Sequence, residues 1–186
     1  MSLILISPPS GAPISLDEIK AHLRVTHNDE DALIAAVANT AARAIEARTG
    51  LALSAQNWRI ALDAPPRGDF ALPISPVISV DAVTVVNRDG ITEIVPIDSY
   101  VFAPGSAARL RAVKAWPAPG VPLNGVQIDF TAGHASDDDI PPPLLQAVKI
   151  LTGHFYESRE VASPDRLSTI PYTVDMLLAP YREVRL

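Results

Sequence analysis

The feature that most constrains this chain is a run of three prolines at positions 141–143, directly before an apolar helical pattern. Proline loses no hydrogen bond in the first turn of a helix, so the run fixes where a helix can begin. Asp138 and Asp139 precede the prolines and suit the positive end of the helix dipole, so we expect them to cap the helix. Apolar or buried-type residues then recur at three- and four-residue steps at Leu144, Leu145, Val148, Leu151, Thr152 and Phe155. This spacing predicts an amphipathic helix over residues 142–160 with one broad buried face.

Two further helices are predicted before residue 51. Ser15, with Glu18 three positions later, makes a capping box at the start of a short helix over residues 16–24. We expect Asn28 or Asp29 to cap a longer helix over residues 29–49, in which apolar residues repeat at helical spacing. Gly50 is expected to end that helix.

From residue 51 the helical period gives way to short runs that end at turn residues, which is typical of strands. The predicted strands are residues 57–63, 77–87, 92–95, 100–102, 109–111 and 126–131. Many of the 18 prolines fall in or beside this part of the chain, so we expect short strands at sheet edges or in small sheets. Trp58 and Trp116 lie here and are expected to be core or interface anchors.

The order of these elements predicts an α+β fold. In this prediction a small helical bundle layer, made of the N-terminal helix pair and the C-terminal helix, carries an inserted β-rich module and ends in an extended C-terminal tail. The expected boundaries are residues 1–50 for the leader and helix pair, 51–136 for the inserted β-rich module, 137–180 for the C-terminal helices and 181–186 for the tail.

Composition argues against several classes of function. The formal charge is −6 and no basic stripe is present, which disfavours stable binding of nucleic acid. The chain has no cysteine, which excludes disulfides, iron–sulfur clusters and zinc fingers. The opening MSLILIS lacks a basic flank and runs into Pro8 and Pro9, so no signal peptide is predicted. No segment reaches the roughly 20 apolar residues of a membrane span, so no membrane partner is expected.

Two groups of residues could carry metal chemistry. His154 and Glu157 stand three apart on one helix, but no second pair of this kind exists to complete a site. His134 lies near Asp137–Asp139 in a loop that lacks calcium-loop spacing, so we expect a solvated loop that caps the next helix. No nucleophile turn or phosphate loop appears. We therefore predict no catalytic residue, no metal and no cofactor; the alternative is a small metal-dependent hydrolase built from these same residues.

Three segments stand in a characteristic order: ISLDEIKAHLRVTHNDEDALI, then GLALSAQNWRIALD, then PPPLLQAVKILTGHFYESRE followed by VDMLLAPYR. Together they resemble the head-tail connector, or adaptor, proteins of tailed bacteriophages and of phage-like gene transfer agents. The resemblance implies a structural protein without a catalytic step, assembled in the bacterial cytoplasm into the neck of a virion or gene transfer agent particle. It also implies a ring, typically dodecameric, beneath the portal vertex of a DNA-filled head. The alternative within the neck is a stopper or tail terminator.

The resemblance also implies the partners, which are the portal protein, a tail-side stopper or other neck protein, and double-stranded DNA that passes without specific binding. An acidic channel wall would reduce sticking of the DNA phosphates. By resemblance we expect the portal to bind the residues after Pro180, namely Tyr181, Arg182, Glu183, Val184, Arg185 and Leu186. We expect the two long helices to pack against the neighbouring subunit through Arg43, Glu46, Arg48, His154, Glu157, Arg159 and Glu160.

Overall fold

Four α-helices and eight β-strands make up the part of the chain that the structure, a computed structural model, describes: residues 1–158 and 171–182. The helices are α1 Leu16–Leu23, α2 Asp31–Thr49, α3 Pro142–Glu157 and α4 Tyr172–Leu178. The strands are β1 Ser2–Ser7, β2 Gln56–Leu62, β3 Asp69–Ala71, β4 Val77–Val86, β5 Thr92–Ile94, β6 Tyr100–Ala103, β7 Arg109–Ala112 and β8 Val126–Ala132. The predicted α+β class is confirmed.

The elements separate into two units. Met1–Pro9 and Ala55–Ala135 form a β unit that contains all eight strands. Ser10–Ser54 and Ser136–Leu186 form a helical unit that contains α1 to α4. No described helix is both long enough and apolar enough to cross a membrane.

The first two helices begin and end largely where the sequence predicts. Ser15 caps α1, since its Oγ accepts a hydrogen bond from the backbone N–H of Glu18 at 3.3 Å. Gly50 ends α2 with φ of 73° and donates its N–H to the carbonyl of Glu46 at 2.9 Å. The predicted cap of α2 is wrong: the N-cap residue is Glu30, without a side-chain cap, and Asn28 instead accepts a hydrogen bond from Lys20 Nζ at 2.6 Å.

The predicted cap of α3 is also wrong. Asp138 and Asp139 belong to a short 3-10 turn, Asp137–Asp139, which is capped by Ser136, and the N-cap of α3 is Pro141 without a side-chain cap. The prolines that open the helix explain this, because proline has no backbone N–H and a carboxylate has fewer amides to accept from.

A shared apolar core holds the helical unit together. α2 packs on α3, and α3 packs on α4. The fully buried residues on these faces include Ile34, Ala38, Ala41, Ala42, Ile45, Leu144, Ala147, Val148, Leu151, Val174 and Leu178. The alanines of α2 take little volume, so they let the helix lie close to its neighbours.

The β unit contains a five-stranded antiparallel sheet in the order β1-β2-β8-β4-β5 and a three-stranded antiparallel sheet in the order β3-β7-β6. β8 is central and buries alternate residues, Val126, Ile128 and Phe130. Since side chains alternate across a strand, these three residues define the inner face of the large sheet.

The sheets are larger than the proline content led us to expect. Each predicted strand is present, and β4 reaches ten residues. The prolines do not interrupt the strands because they lie in the connections, for example at Pro65, Pro73, Pro96 and Pro104. β1 and β3 are strands that the sequence pattern did not predict.

Candidate assembly interface

The end of α3 carries two of the predicted subunit-contact residues. The His154 ring lies 6.0 Å from the ring of Phe155 at an angle of 44°, and its side chain is partly buried. Glu157 is exposed at the last turn of the helix. Arg159 and Glu160, predicted for the same surface, lie outside the described residues.

Arg43 and Glu46, also predicted as subunit contacts, form an ion pair within α2. Arg43 Nη1 lies 2.7 Å from Glu46 Oε2, and the side chains are only 30% and 11% exposed. Glu46 Oε1 also accepts a hydrogen bond from the backbone N–H of Leu53 at 2.8 Å. Glu46 therefore ties the helix to the loop that follows it.

Asp175 joins α2 to the start of the predicted tail. Arg48 Nη2 lies 2.6 Å from Asp175 Oδ1, and Arg182 Nη2 lies 2.7 Å from the same oxygen. Tyr181, the first residue of the predicted tail, packs against the helical core. The first two tail residues are thus attached to the helical unit, whereas Glu183, Val184, Arg185 and Leu186 lie outside the described residues.

The candidate metal residues do not converge. Asp137 accepts a hydrogen bond from Ser54 Oγ at 3.0 Å, which ties its turn to the loop after α2. His134 belongs to the β unit, whereas Asp137–Asp139 belong to the helical unit, as do His154 and Glu157. Within residues 1–158 and 171–182 no three histidine, aspartate or glutamate side chains are grouped so as to hold a metal ion.

The outer face of the large sheet is polar and cross-linked by hydrogen bonds. Arg59 of β2 and Asp129 of β8 are directly opposite and bind in a bidentate manner, with Nε to Oδ1 at 2.6 Å and Nη2 to Oδ2 at 2.7 Å. The hydrogen bond to Asp129 raises the pKa of Arg59 above its ordinary value. Thr131 Oγ1 lies within hydrogen-bonding distance of Asn57 and Asp81, at 3.1 and 2.8 Å.

The tryptophans pack inside the β unit to different extents. Trp116 is buried, donates its Nε1–H to the carbonyl of Ser99 at 3.2 Å, and meets the ring of Tyr100 edge-on at 6.1 Å. Burial raises the pKa of Tyr100. Trp58 is partly buried, and its Nε1 has no hydrogen-bond partner among the described residues. Both positions suit packing rather than exposed stacking platforms.

The edges of the large sheet are a feature that sequence reasoning missed. β1 presents four successive large apolar residues whose exposed fractions lie between 36% and 50%: Leu3, Ile4, Leu5 and Ile6. At the opposite edge, Ile94 of β5 is 75% exposed, and Ile91 just before the strand is 60% exposed. The available signal was the uncharged run SLILIS, which has no period-two alternation to mark it as a strand.

Solved structures of particle necks contain chains of the same fold. A chain in the neck of an empty gene transfer agent particle, computed with C6 symmetry, is 32% identical, with a TM-score of 0.84, and the match covers 100% of this chain and 97% of that chain. The virion of a native gene transfer agent particle gives the same values. The neck of the native particle, computed with C12 symmetry, gives 34% identity and a TM-score of 0.81 over the same coverage. Residues 13–93 match the phage gp6-like head-tail connector protein family.

The chain belongs to this head-tail connector family. The resemblance deduced from the three sequence segments is therefore confirmed. No curated protein sequence matches this connector significantly.

Family membership and the neck structures indicate a structural protein. For a connector, the relevant geometry is that of surfaces that meet other subunits. Among the described residues, the candidates for such surfaces are the end of α3, the attached start of the tail, and the two apolar sheet edges.

Proposed function

We propose that this connector is a ring-forming adaptor in the neck of a tailed phage or gene transfer agent particle, where it joins the DNA-filled head to the tail-side neck proteins. The observation that carries the proposal is 32–34% identity to chains of gene transfer agent necks over the whole length of this chain. At that identity and coverage the whole subunit, rather than one motif, is shared. The proposed role is structural and has no catalytic step.

The proposed ring is dodecameric and lies beneath the portal. Cyclic rings form when two different surfaces of each subunit fit one another, and related necks were computed with C6 and C12 symmetry. The ring would line the channel through which double-stranded DNA passes. A net charge of −6 supports this part of the proposal, because acidic walls do not hold phosphates.

The proposed portal contact is the tail that begins at Tyr181. Arg182 is held by Asp175, which in turn is held by Arg48, so the tail would leave the helical unit from a defined point. Arg48 is therefore proposed to support the tail from within its own subunit, by holding Asp175. The proposed contacts to the neighbouring subunit keep His154 and Glu157 of α3, together with Arg159 and Glu160, while Arg43 and Glu46 would support α2 through their own ion pair.

The test is deletion of the gene followed by electron microscopy of the particles. We expect DNA-filled heads that retain a portal but lack every later neck component and the tail. Complementation with the full chain should restore tailed particles, and a focused neck map should show this chain as the ring next to the portal.

The same experiment distinguishes the other neck positions. Loss of a stopper would leave a ring still bound to the portal, and loss of a tail terminator would leave normal heads and abnormal tails. Either phenotype, or a complemented particle without this chain in the neck, would contradict the adaptor role.

A further inference from the structure

The N-terminal strand β1 is an edge strand without the features that normally protect an edge. Proteins shield such edges with charges, prolines or covering segments, because an open edge pairs readily with another chain. Ser2–Ser7 contains no charged residue and no proline. Its only irregularity is a bulge between Leu5 and Ser7, and its four apolar side chains remain between 36% and 50% exposed. In an assembled particle we expect this strand to be covered.

The opposite edge of the same sheet, at β5, also exposes a large apolar side chain. The strand register places Ser2, Ala61, Gln127, Thr84 and Ile94 in one row across the five strands. Ile4 stands two residues along β1 from Ser2, so Ile4 and Ile94 emerge on the same outer face, at opposite edges. Ile94 is 75% exposed and Ile4 is 46% exposed.

The direction of the two edge strands also fits a repeating contact. Five strands that are antiparallel throughout leave the first and the last running in the same direction. A rotation that preserves strand direction would bring β1 of one copy beside β5 of the next as a parallel pair. A cyclic ring needs a contact of this type, in which two different surfaces of one subunit meet in every repeat.

We propose that β1 pairs with β5 of the neighbouring copy, so that the large sheets of successive subunits join into one sheet around the ring. The inference rests on the ring proposed above, and it adds the contact that closes it. Another copy of this chain is the occupant that covers both apolar edges at once, whereas a different neck protein on β1 would leave Ile94 exposed.

The charges near the contact are compatible with close pairing. β1 carries none, and the acidic residue of β5, Glu93, accepts a hydrogen bond from Asn87 Nδ2 of its own hairpin at 2.8 Å. Ile94 of the neighbour would then lie within about two residues of Ile4 along the outer face, close enough for the apolar cross-strand contacts that stabilise sheets.

Cysteine cross-linking tests the pairing, because the natural chain has no cysteine. Particles are assembled with a chain that carries both Ile4→Cys and Ile94→Cys, then treated with a short bis-maleimide that tolerates a small offset in register. Each copy would offer one thiol to each neighbour, so denaturing gels should show a ladder of covalent multimers. Ile94→Cys with Val101→Cys is the matched control, since Val101 is 54% exposed and lies in β6 of the three-stranded sheet rather than on an edge of the large sheet, and it should give no ladder.

Three results would overturn the pairing. One is the absence of a ladder in particles that contain normal amounts of the variant. Another is a dimer from Ile4→Cys alone, which would mean that β1 meets β1. The third is a cross-link from the thiol of the single variant Ile4→Cys to a different neck protein. Absence of the wild-type chain from the neck would instead contradict the ring itself, so the two failures are distinguishable.

A second variant covers the case in which the paired cysteines prevent assembly. Ile4→Lys places a charge in the proposed contact while changing only an already exposed site, and should lower incorporation into particles about tenfold or more, with an unchanged circular dichroism spectrum. Val101→Lys is the control, because Val101 is similarly exposed and lies in the three-stranded sheet, and it should incorporate normally. Equal incorporation of Ile4→Lys and Val101→Lys would also overturn the pairing.

Discussion

Single ion pairs connect segments that are far apart in the sequence. Arg59 and Asp129 join β2 to β8 across 70 residues of chain, and Lys149 of α3 lies 3.5 Å from Glu18 of α1. Both pairs are partly or largely open to solvent, so each contributes little on its own. Their contribution is to specificity: they favour the pairing of β2 with β8 and the contact of α3 with α1.

Asp129→Asn should reduce the stability of the β unit modestly. The change keeps the size of the side chain and removes the charge that holds the Arg59 guanidinium, so we expect a loss of about 0.5–1 kcal/mol in the free energy of unfolding. Chemical denaturation at low salt measures it. Asp89→Asn, in the exposed turn after β4, is the control, and an equal effect at both positions would rule out a specific contribution from the pair.

Glu18 should make stability depend on pH in the acid range. The charge of Lys149 and the hydrogen bond from Ser15 lower the pKa of Glu18 below its ordinary value of 4.5. A lowered folded-state pKa contributes stability above the unfolded value, and this contribution is lost as the pH falls through the folded value. The wild type should therefore exceed Glu18→Gln in melting temperature at pH 7, and the gap should close below pH 4.5. A gap that widened in acid would contradict this assignment.

At the scale of elements, α3 supplies much of the helical core. Leu151 is fully buried in the core that α3 shares with α2 and α4, whereas its neighbour Ile150 is partly buried. Leu151→Ala should cost about 2–5 kcal/mol through lost burial and a residual cavity. Ile150→Ala should cost clearly less, because more of its side chain already contacts water. Thermal unfolding followed by circular dichroism compares the two, and equal losses would place the core elsewhere on the helix.

The helices were predictable because local signals agree with their packing. Ser15, Gly50 and the prolines at 141–143 mark helix ends by backbone chemistry that works without tertiary context. The caps of α2 and α3 were not predicted correctly, because Lys20 binds Asn28 and because the prolines leave fewer backbone amides for a cap to bind. The outcome for α2 depends on a lysine that folding brings to Asn28, whereas the outcome for α3 follows from the prolines in the sequence itself.

Strand β1 shows the corresponding limit for sheets. An uninterrupted apolar run has no period to distinguish strand from helix or loop, and its partner β2 follows two helices later. The residues predicted as subunit contacts show a similar limit of sequence-based prediction. Arg43, Glu46 and Arg48 look like free surface charges in the sequence, yet each has an ion partner within its own chain.

At the scale of the whole molecule, truncation can test two parts of the predicted portal tail separately: Tyr181 and Arg182, which contact the helical unit, and residues 183–186. Removing residues 183–186 should leave Arg182 on Asp175 and a folded protein that does not join the head. Removing residues 181–186 should give the same assembly defect with a slightly lower melting temperature, because Tyr181 and Arg182 contact the helical unit. Electron microscopy counts tailed particles in each case. Normal tailed particles from either truncated chain would refute portal binding by this tail.

The interleaving of the two units has a consequence during synthesis. α2 is complete at Thr49, but α3, which covers its apolar face, begins only at Pro142, after nearly the entire β unit. At about 5–20 residues per second, a ribosome needs roughly 5–20 s to reach that point. Throughout this delay Ile34, Ala38 and Ile45 lack their final cover. We therefore expect the helical unit to complete its core, and the subunit to become competent to assemble, only after α3 and α4 have emerged.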